Sequence, residues 1–205
     1  MRGCFIRHLE NALNQILLLI GAYLLGSVPT GLLLARGMGI NIRECGSGNI
    51  GATNVYRTAG KKLGIMTLIG DCLKGLIPVL IAQALGLAPI WVAAIGLAAF
   101  LGHVYTIFLG FKGGKGVATA LGVLLGTAPL AVLFGIVVFA LVLYKWRYVS
   151  LASISAAACI PVFALATCVP RETAIMALLI AVIVILKHHE NIARLRAGTE
   201  SKFKA

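Results

Sequence analysis

Seven blocks of mainly apolar residues alternate with short polar connections along the chain, at positions 16–34, 63–85, 89–109, 117–126, 129–144, 149–168 and 173–186. A helix needs about 20 apolar residues to cross a bilayer, so the pattern predicts an all-α, polytopic membrane protein with seven transmembrane helices. The fourth block is short for a full span. Followed by Thr127, Ala128 and Pro129, it reads as a short tilted helix or half of a hairpin whose ends neighbouring protein shields. In the first block, Ser27, Pro29 and Thr30 mark a place where the helix breaks or kinks, because proline removes a backbone donor.

Composition narrows the class further. Of 205 residues, 60% are apolar and 12% charged, against about 45–50% and about 25% in a soluble domain. That excess exceeds what one buried core can hold. The length leaves no room for a separate soluble domain, so residues 1–205 are expected to form a single membrane-embedded unit. The net charge of +12 would point to nucleic acid in a soluble protein. Here it is explained by cytoplasmic loops and by chemistry on phosphorylated molecules. Alternate connections, 35–62, 110–116, 145–148 and the tail from Lys187, hold fourteen of the 18 lysines and arginines. The positive-inside rule therefore predicts an external amino terminus and a cytoplasmic carboxyl terminus. Cys4, Cys45, Cys72, Cys159 and Cys168 form no C-x-x-C pair and read as small core hydrophobes.

Polar residues concentrate in four places: Gly26-Ser27-Val28-Pro29-Thr30, a first loop from Gly46 to Arg57, a second from Gly110 to Gly116, and His188-His189-Glu190-Asn191. All but the first fall on the predicted cytoplasmic face. The first loop matches G-x-G-x-x-G at Gly46, Gly48 and Gly51, but it joins two membrane spans rather than a strand and a helix, which rules out a dinucleotide fingerprint. What remains is a turn bearing Ser47, Asn49, Thr53 and Asn54 that runs into a helix carrying Arg57. Such a turn is either a cradle for phosphate or a plain cytoplasmic turn.

In the second loop, Lys112-Gly113-Gly114-Lys115-Gly116 opens a helix at Val117. Its glycines are expected to turn backbone N–H groups toward an anion, helped by the helix dipole. Leu109 and Gly116 stand where a Walker A loop needs its first glycine and its hydroxyl. His188 and Asn191, three apart, are expected to share a helix face, histidine as base and asparagine orienting a hydroxyl or phosphate. The histidines lack a third ligand at metal spacing, and nothing implies a metal or cofactor. Asp71 and Lys74, on one helical face inside a span, are read as neutralising each other. His103 is either an auxiliary of the site or a satisfied interior residue.

These blocks, in this order, resemble the bacterial membrane glycerol-3-phosphate acyltransferases that take acyl phosphate as donor, the PlsY family. The resemblance runs from about Ala22 to the tail; the first fifteen residues are longer and more polar than the family pattern. It implies seven helices in the bacterial inner membrane, with the site on the cytoplasmic face. It also implies transfer of a fatty acyl group to the 1-hydroxyl of glycerol 3-phosphate, giving lysophosphatidate and phosphate, the first step of phospholipid synthesis. By resemblance, Ser47, Arg57, Lys115, His188 and Asn191 are the catalytic set. Gly48, Asn49, Thr53, Asn54, Lys112, Gly113, Gly114 and Gly116 would contact substrate, the glycines holding the donor phosphate. The partners implied are acyl phosphate, glycerol 3-phosphate and membrane lipid, with no nucleic acid and no required protein. The H-x-x-x-x-D motif of the acyl-CoA family is absent: Phe108, Ala193 and Arg194 stand five residues after His103, His188 and His189. The reading from another class is a transporter or binding protein for a phosphorylated anion, for which an inverted repeat is expected and none is found.

Overall fold

The computed structural model describes residues 2–203, with side chains from residue 12 onward. The described residues are all helix, turn and loop, without a strand. The helices are α1 (Arg2–Ser27), α2 (Thr30–Arg36), α3 (Ala52–Ala59), α4 (Lys61–Ala84), α5 (Pro89–Val104), α6 (Val117–Thr127), α7 (Pro129–Trp146), α8 (Val149–Ala166), α9 (Arg171–Lys187) and α10 (His189–Arg196). Each predicted apolar block coincides with a helix, the first with the broken pair α1 and α2. Four helices are long and apolar enough to cross a membrane, or up to six when each bent pair counts as one span. The short α6 stands apart, as its block length foretold.

The break between α1 and α2, 41°, sits where Pro29 cannot donate. The carbonyls it frees are not left bare. Lys74 Nζ donates to Val28 O at 2.8 Å, and Thr106 Oγ1 donates to Ser27 O at 2.6 Å. Irregular backbone at membrane depth survives only when protein supplies such partners. Lys74 also lies 2.9 Å from Asp71 Oδ1, so the predicted neutralisation is present and has a structural purpose: the pair delivers a cation to the broken helix.

Small residues let the helices close up. Gly122 of α6 abuts the Cys72 carbonyl of α4, and Gly75 of α4 abuts the Thr119 carbonyl of α6. Gly26 and Gly102 bring α1 against α5 in the same way. This is the close packing expected where lipid removes any hydrophobic drive between helices. One buried cluster, around Ile95, Phe100, Val123 and Met176, forms the interior. A second, around Leu32, Ile42, Ile50 and Val55, seats the first polar loop beneath it. The rest of the large apolar side chains, such as Leu133, Leu141 and Leu178, point outward, as a lipid-facing surface requires. The four cysteines whose side chains are described are free and not fully buried, Cys168 being exposed; the core role expected of them is not met.

Candidate active site

The loops and helix ends on the predicted cytoplasmic side enclose a cavity of about 600 Å³. It is lined by Ser47, Asn49, Thr53, Asn54 and Arg57 from the first loop and α3, Lys115 and Gly116 from the second loop, and His188, Asn191 and Arg194 from the α9–α10 elbow. All five residues expected as the catalytic set therefore meet in one space, although 141 positions separate Ser47 from His188 in the chain. Ile65, Leu68, Val117, Phe139 and Leu143 form an apolar wall of the same cavity. Gly48, Lys112, Gly113 and Gly114 are not among its lining residues.

The first loop is organised by Asn54, whose side chain is buried. Its Oδ1 accepts from Ser47 N at 2.9 Å, and its Nδ2 donates to the carbonyls of Ile42, Cys45 and Asn49 at 3.1, 3.1 and 2.9 Å. Asn49 Oδ1 accepts from Gly51 N at 2.9 Å. Both amides are therefore engaged in shaping the loop rather than free for substrate, a role different from the contact expected of them. Gly48 is placed by its backbone (φ +67°), a left-handed conformation that disfavours side-chain-bearing residues.

The second loop also departs from the expected anion cradle. Gly113 N donates to Val104 O and Gly114 N to His103 O, each at 3.1 Å, so these amides hold the loop on the end of α5. A Cβ at Gly113 would overlap the His103 carbonyl, and one at Gly114 the His103 ring. Gly116 combines φ +81° with a close approach to Phe100. The glycines here permit docking, and the docking aims Lys115. Lys112 is tied through its carbonyl, which accepts from Arg43 Nη2 at 2.6 Å, joining the two loops.

Lys115 Nζ donates to Asn191 Oδ1. Asn191 Nδ2 donates in turn to Glu200 Oε1 at 2.7 Å, which fixes the amide so that its oxygen faces the ammonium. Glu200 also accepts from Ser150 Oγ at 2.6 Å and from Arg194 Nε at 2.7 Å. Burial alone would raise the Glu200 pKa, but the bonds from Ser150, Arg194 and Asn191 outweigh it and hold the carboxyl below its ordinary range. Burial, then the charge of Arg194, lowers the Lys115 ammonium from the usual lysine value.

His188 lies at the elbow beyond the end of α9. Its Nδ1 is 2.7 Å from Val184 O. A carbonyl can only accept, so Nδ1 carries the proton and Nε2 keeps a free lone pair. Burial, with a smaller push from Lys115, lowers the His188 pKa to about 4, and the ring is neutral at physiological pH. The expected pairing of His188 with Asn191 is present as a shared cavity, reached across a 54° bend rather than along one straight helix.

Three elements of the site were not anticipated. Glu200 and the tail fold back over the rim: Arg57 Nη2 donates to Ser201 O at 3.2 Å, Phe203 N to Arg147 O at 2.6 Å, and the Phe203 ring packs on Tyr56 at 5.7 Å. Ser150 and Ser153, near the start of α8, line the cavity; their three-residue spacing in an apolar helix was the available signal. For Glu200 the signal was an acidic residue among tail cations in a chain with only six acids. Finally, Asp71 and His103 form part of the cavity wall, so the buried pair read as purely structural borders the site.

Cations from three separate segments, Arg57, Lys115 and Arg194, thus face a space whose two carboxylates are already engaged, beside an apolar wall on helices of membrane-crossing length. That defines an integral membrane protein with a cation-rich polar cavity opening beside lipid. A family described as glycerol-3-phosphate acyltransferase matches residues 16–198. The glycerol-3-phosphate acyltransferase of Geotalea daltonii is 67% identical over 192 residues, covering 93% of this chain and 98% of that one. The enzyme of Geobacter sulfurreducens is 64% identical over 195 residues, 94% and 100% of the two chains. The crystal structure of PlsY, an integral membrane glycerol 3-phosphate acyltransferase, in its glycerol 3-phosphate form, superposes with a TM-score of 0.90 at 45% identity, covering 93% of this chain and 96% of that chain. A lysophosphatidic acid form of PlsY superposes at 0.86. The chain belongs to the glycerol-3-phosphate acyltransferase family.

Proposed function

We propose that this chain transfers a fatty acyl group from acyl phosphate to the 1-hydroxyl of glycerol 3-phosphate, releasing lysophosphatidate and phosphate, as the first step of phospholipid synthesis. The observation that carries the reading is the meeting of Arg57, Lys115, His188 and Asn191 in one cavity whose opposite wall is apolar. Phosphate needs the cations and an acyl tail needs the wall. That the related PlsY has been crystallised with glycerol 3-phosphate and with lysophosphatidic acid supports the same substrate and product here.

Acyl phosphate is a mixed anhydride with a good leaving group, so the protein has chiefly to position the acceptor and stabilise charge. The hydroxyl oxygen bonds to the acyl carbon, the carbon–oxygen bond to the donor phosphate breaks, and inorganic phosphate departs against Arg57 and Lys115. The neutral Nε2 of His188 accepts the hydroxyl's hydrogen bond and orients it. With a pKa of about 4 it is a weak final acceptor, so the proton comes to rest on the acceptor's phosphate, whose second pKa is about 6. Ser47 and Thr53 line the acceptor side. The cavity holds no acyl-enzyme nucleophile with its own base: Cys45 lies outside the lining.

The topology belongs to the same proposal. The single membrane-embedded unit has seven spans, α1 with α2 as the first and α6 as the short fourth. Its amino terminus is outside, its carboxyl terminus is cytoplasmic, and its cavity faces the cytoplasm of a bacterial inner membrane. The test is purified protein in lipid, given acyl phosphate and glycerol 3-phosphate, with phosphate and lysophosphatidate measured. Equimolar release of both supports the reading. Saturable binding of glycerol 3-phosphate with no product would turn it toward a carrier, and acyl-CoA as the only working donor would overturn the donor assignment.

A further inference from the structure

His103, on the last turn of α5, is 4% exposed, and its Nδ1 finds no hydrogen-bond partner among the described residues. Leaving a buried polar atom unbonded costs about 1–3 kcal/mol, and the direct chemistry above gives the ring no task. Its surroundings point to one. On one side, Nδ1 faces Asp71 Oδ1 at 3.7 Å, a carboxylate itself fixed by Lys74 at 2.9 Å. On the other, Nε2 lies against the Cα of Gly114, so closely that a methyl there would overlap it. The next residue is Lys115, and Asp71, His103 and Lys115 all border the same cavity. The ring is thus wedged between a charge-anchored helix face and the loop that carries the ammonium.

We propose that His103 is a positioning residue for Lys115: held against Asp71, its imidazole sets the height of the 113–116 loop and thereby the reach of the ammonium into the cavity. The inference rests on the proposed role of Lys115. It separates side-chain support from the backbone docking already described, because Gly113 meets only the carbonyls of His103 and Val104 whereas Gly114 meets the imidazole itself.

That difference supplies the test, a pair of double-mutant cycles on the full chain in lipid, read as kcat and KM for glycerol 3-phosphate with acyl phosphate saturating. His103→Ala is expected to raise KM and lower kcat/KM about tenfold or more. Gly114→Ala is expected to do the same by forcing the loop off the ring. Combined, they should lose at least about fivefold less than the product of the single losses, because the new methyl occupies the space the ring vacates; coupling of that size is ordinary for residues in contact. His103→Ala with Gly113→Ala should lose the full product. His103→Gln, whose flexible amide can move aside from the methyl, is run beside His103→Ala and should show the same partial rescue, which keeps the cycle readable if the alanine variant is not recovered folded. Multiplicative losses in both cycles, or a His103→Ala enzyme with unchanged KM, would overturn the proposal. Lys115→Ala in parallel separates the two levels. If it is inactive and the cycles are multiplicative, only the positioning role fails. If it turns over at the parent rate, the reading of the site fails and this inference falls with it.

Discussion

A single amide shapes the first polar loop. Asn54 bonds four backbone groups at once, which frees Ser47 and Arg57 to face the cavity without holding it together. Lys115 and Arg57 are the exposed ends of this arrangement. Replacing either by alanine leaves a substrate phosphate without its counter-charge in a partly desolvated space. Lysophosphatidate formation is expected to fall about 100-fold or more in each variant, equivalent to roughly 3 kcal/mol of lost transition-state stabilisation. His188 sets a pH limit on the fold. Its pKa is near 4 when folded against 6.5 for a free side chain, so between those values the unfolded chain binds the extra proton and stability falls as the solution is acidified. The carboxyl of Glu200, held low in the folded chain, adds to the loss once the pH drops through the ordinary carboxylate range. Thermal unfolding in detergent should show Tm dropping from pH 6.5 toward 4, with a visibly shallower drop in His188→Gln. Turnover above pH 6.5 should carry no titration from His188.

Among the helices, the break at Pro29 shows how a membrane span tolerates irregular backbone. Val28 offers its carbonyl to Lys74, and the lysine is made tolerable by Asp71 one turn earlier. Lys74→Met strands both the carbonyl and a buried carboxylate. Removing one partner of a buried pair costs about 3–5 kcal/mol, so the variant is expected to unfold at a markedly lower temperature in detergent. Asp71→Asn combined with Lys74→Met, which removes the charge altogether, should recover part of that loss. The helices themselves were legible because membrane insertion writes their extent into composition: every apolar block became helix, and the short fourth block became the short α6. The elbow at His188 was not legible, since nothing in the local sequence shows that α9 stops there and α10 turns away by 54°. That turn is what carries Asn191 and Arg194 over the cavity.

For the molecule as a whole, the proposed topology puts Cys45 on the cytoplasmic side and Cys168, exposed between α8 and α9, on the other. A membrane-impermeant maleimide applied to intact spheroplasts should label Cys168 in a variant retaining that cysteine alone. A variant retaining only Cys45 should be labelled only after permeabilisation; the reverse pattern would invert the topology. The sequence by itself determined the class, the helical segments, the asymmetry of charge and the set of residues that meet in the cavity. Each of these follows from local hydrophobicity or from side-chain chemistry that no fold alters. Tertiary structure alone decided what the polar atoms do. The amides of Gly113 and Gly114 look free in the sequence and are bonded to the end of α5. The tail looks like a solvated basic run, yet Glu200 is drawn back onto Ser150, Asn191 and Arg194. Hydrogen bonds between residues far apart in the chain depend on which helix ends become neighbours, and periodicity carries no record of that.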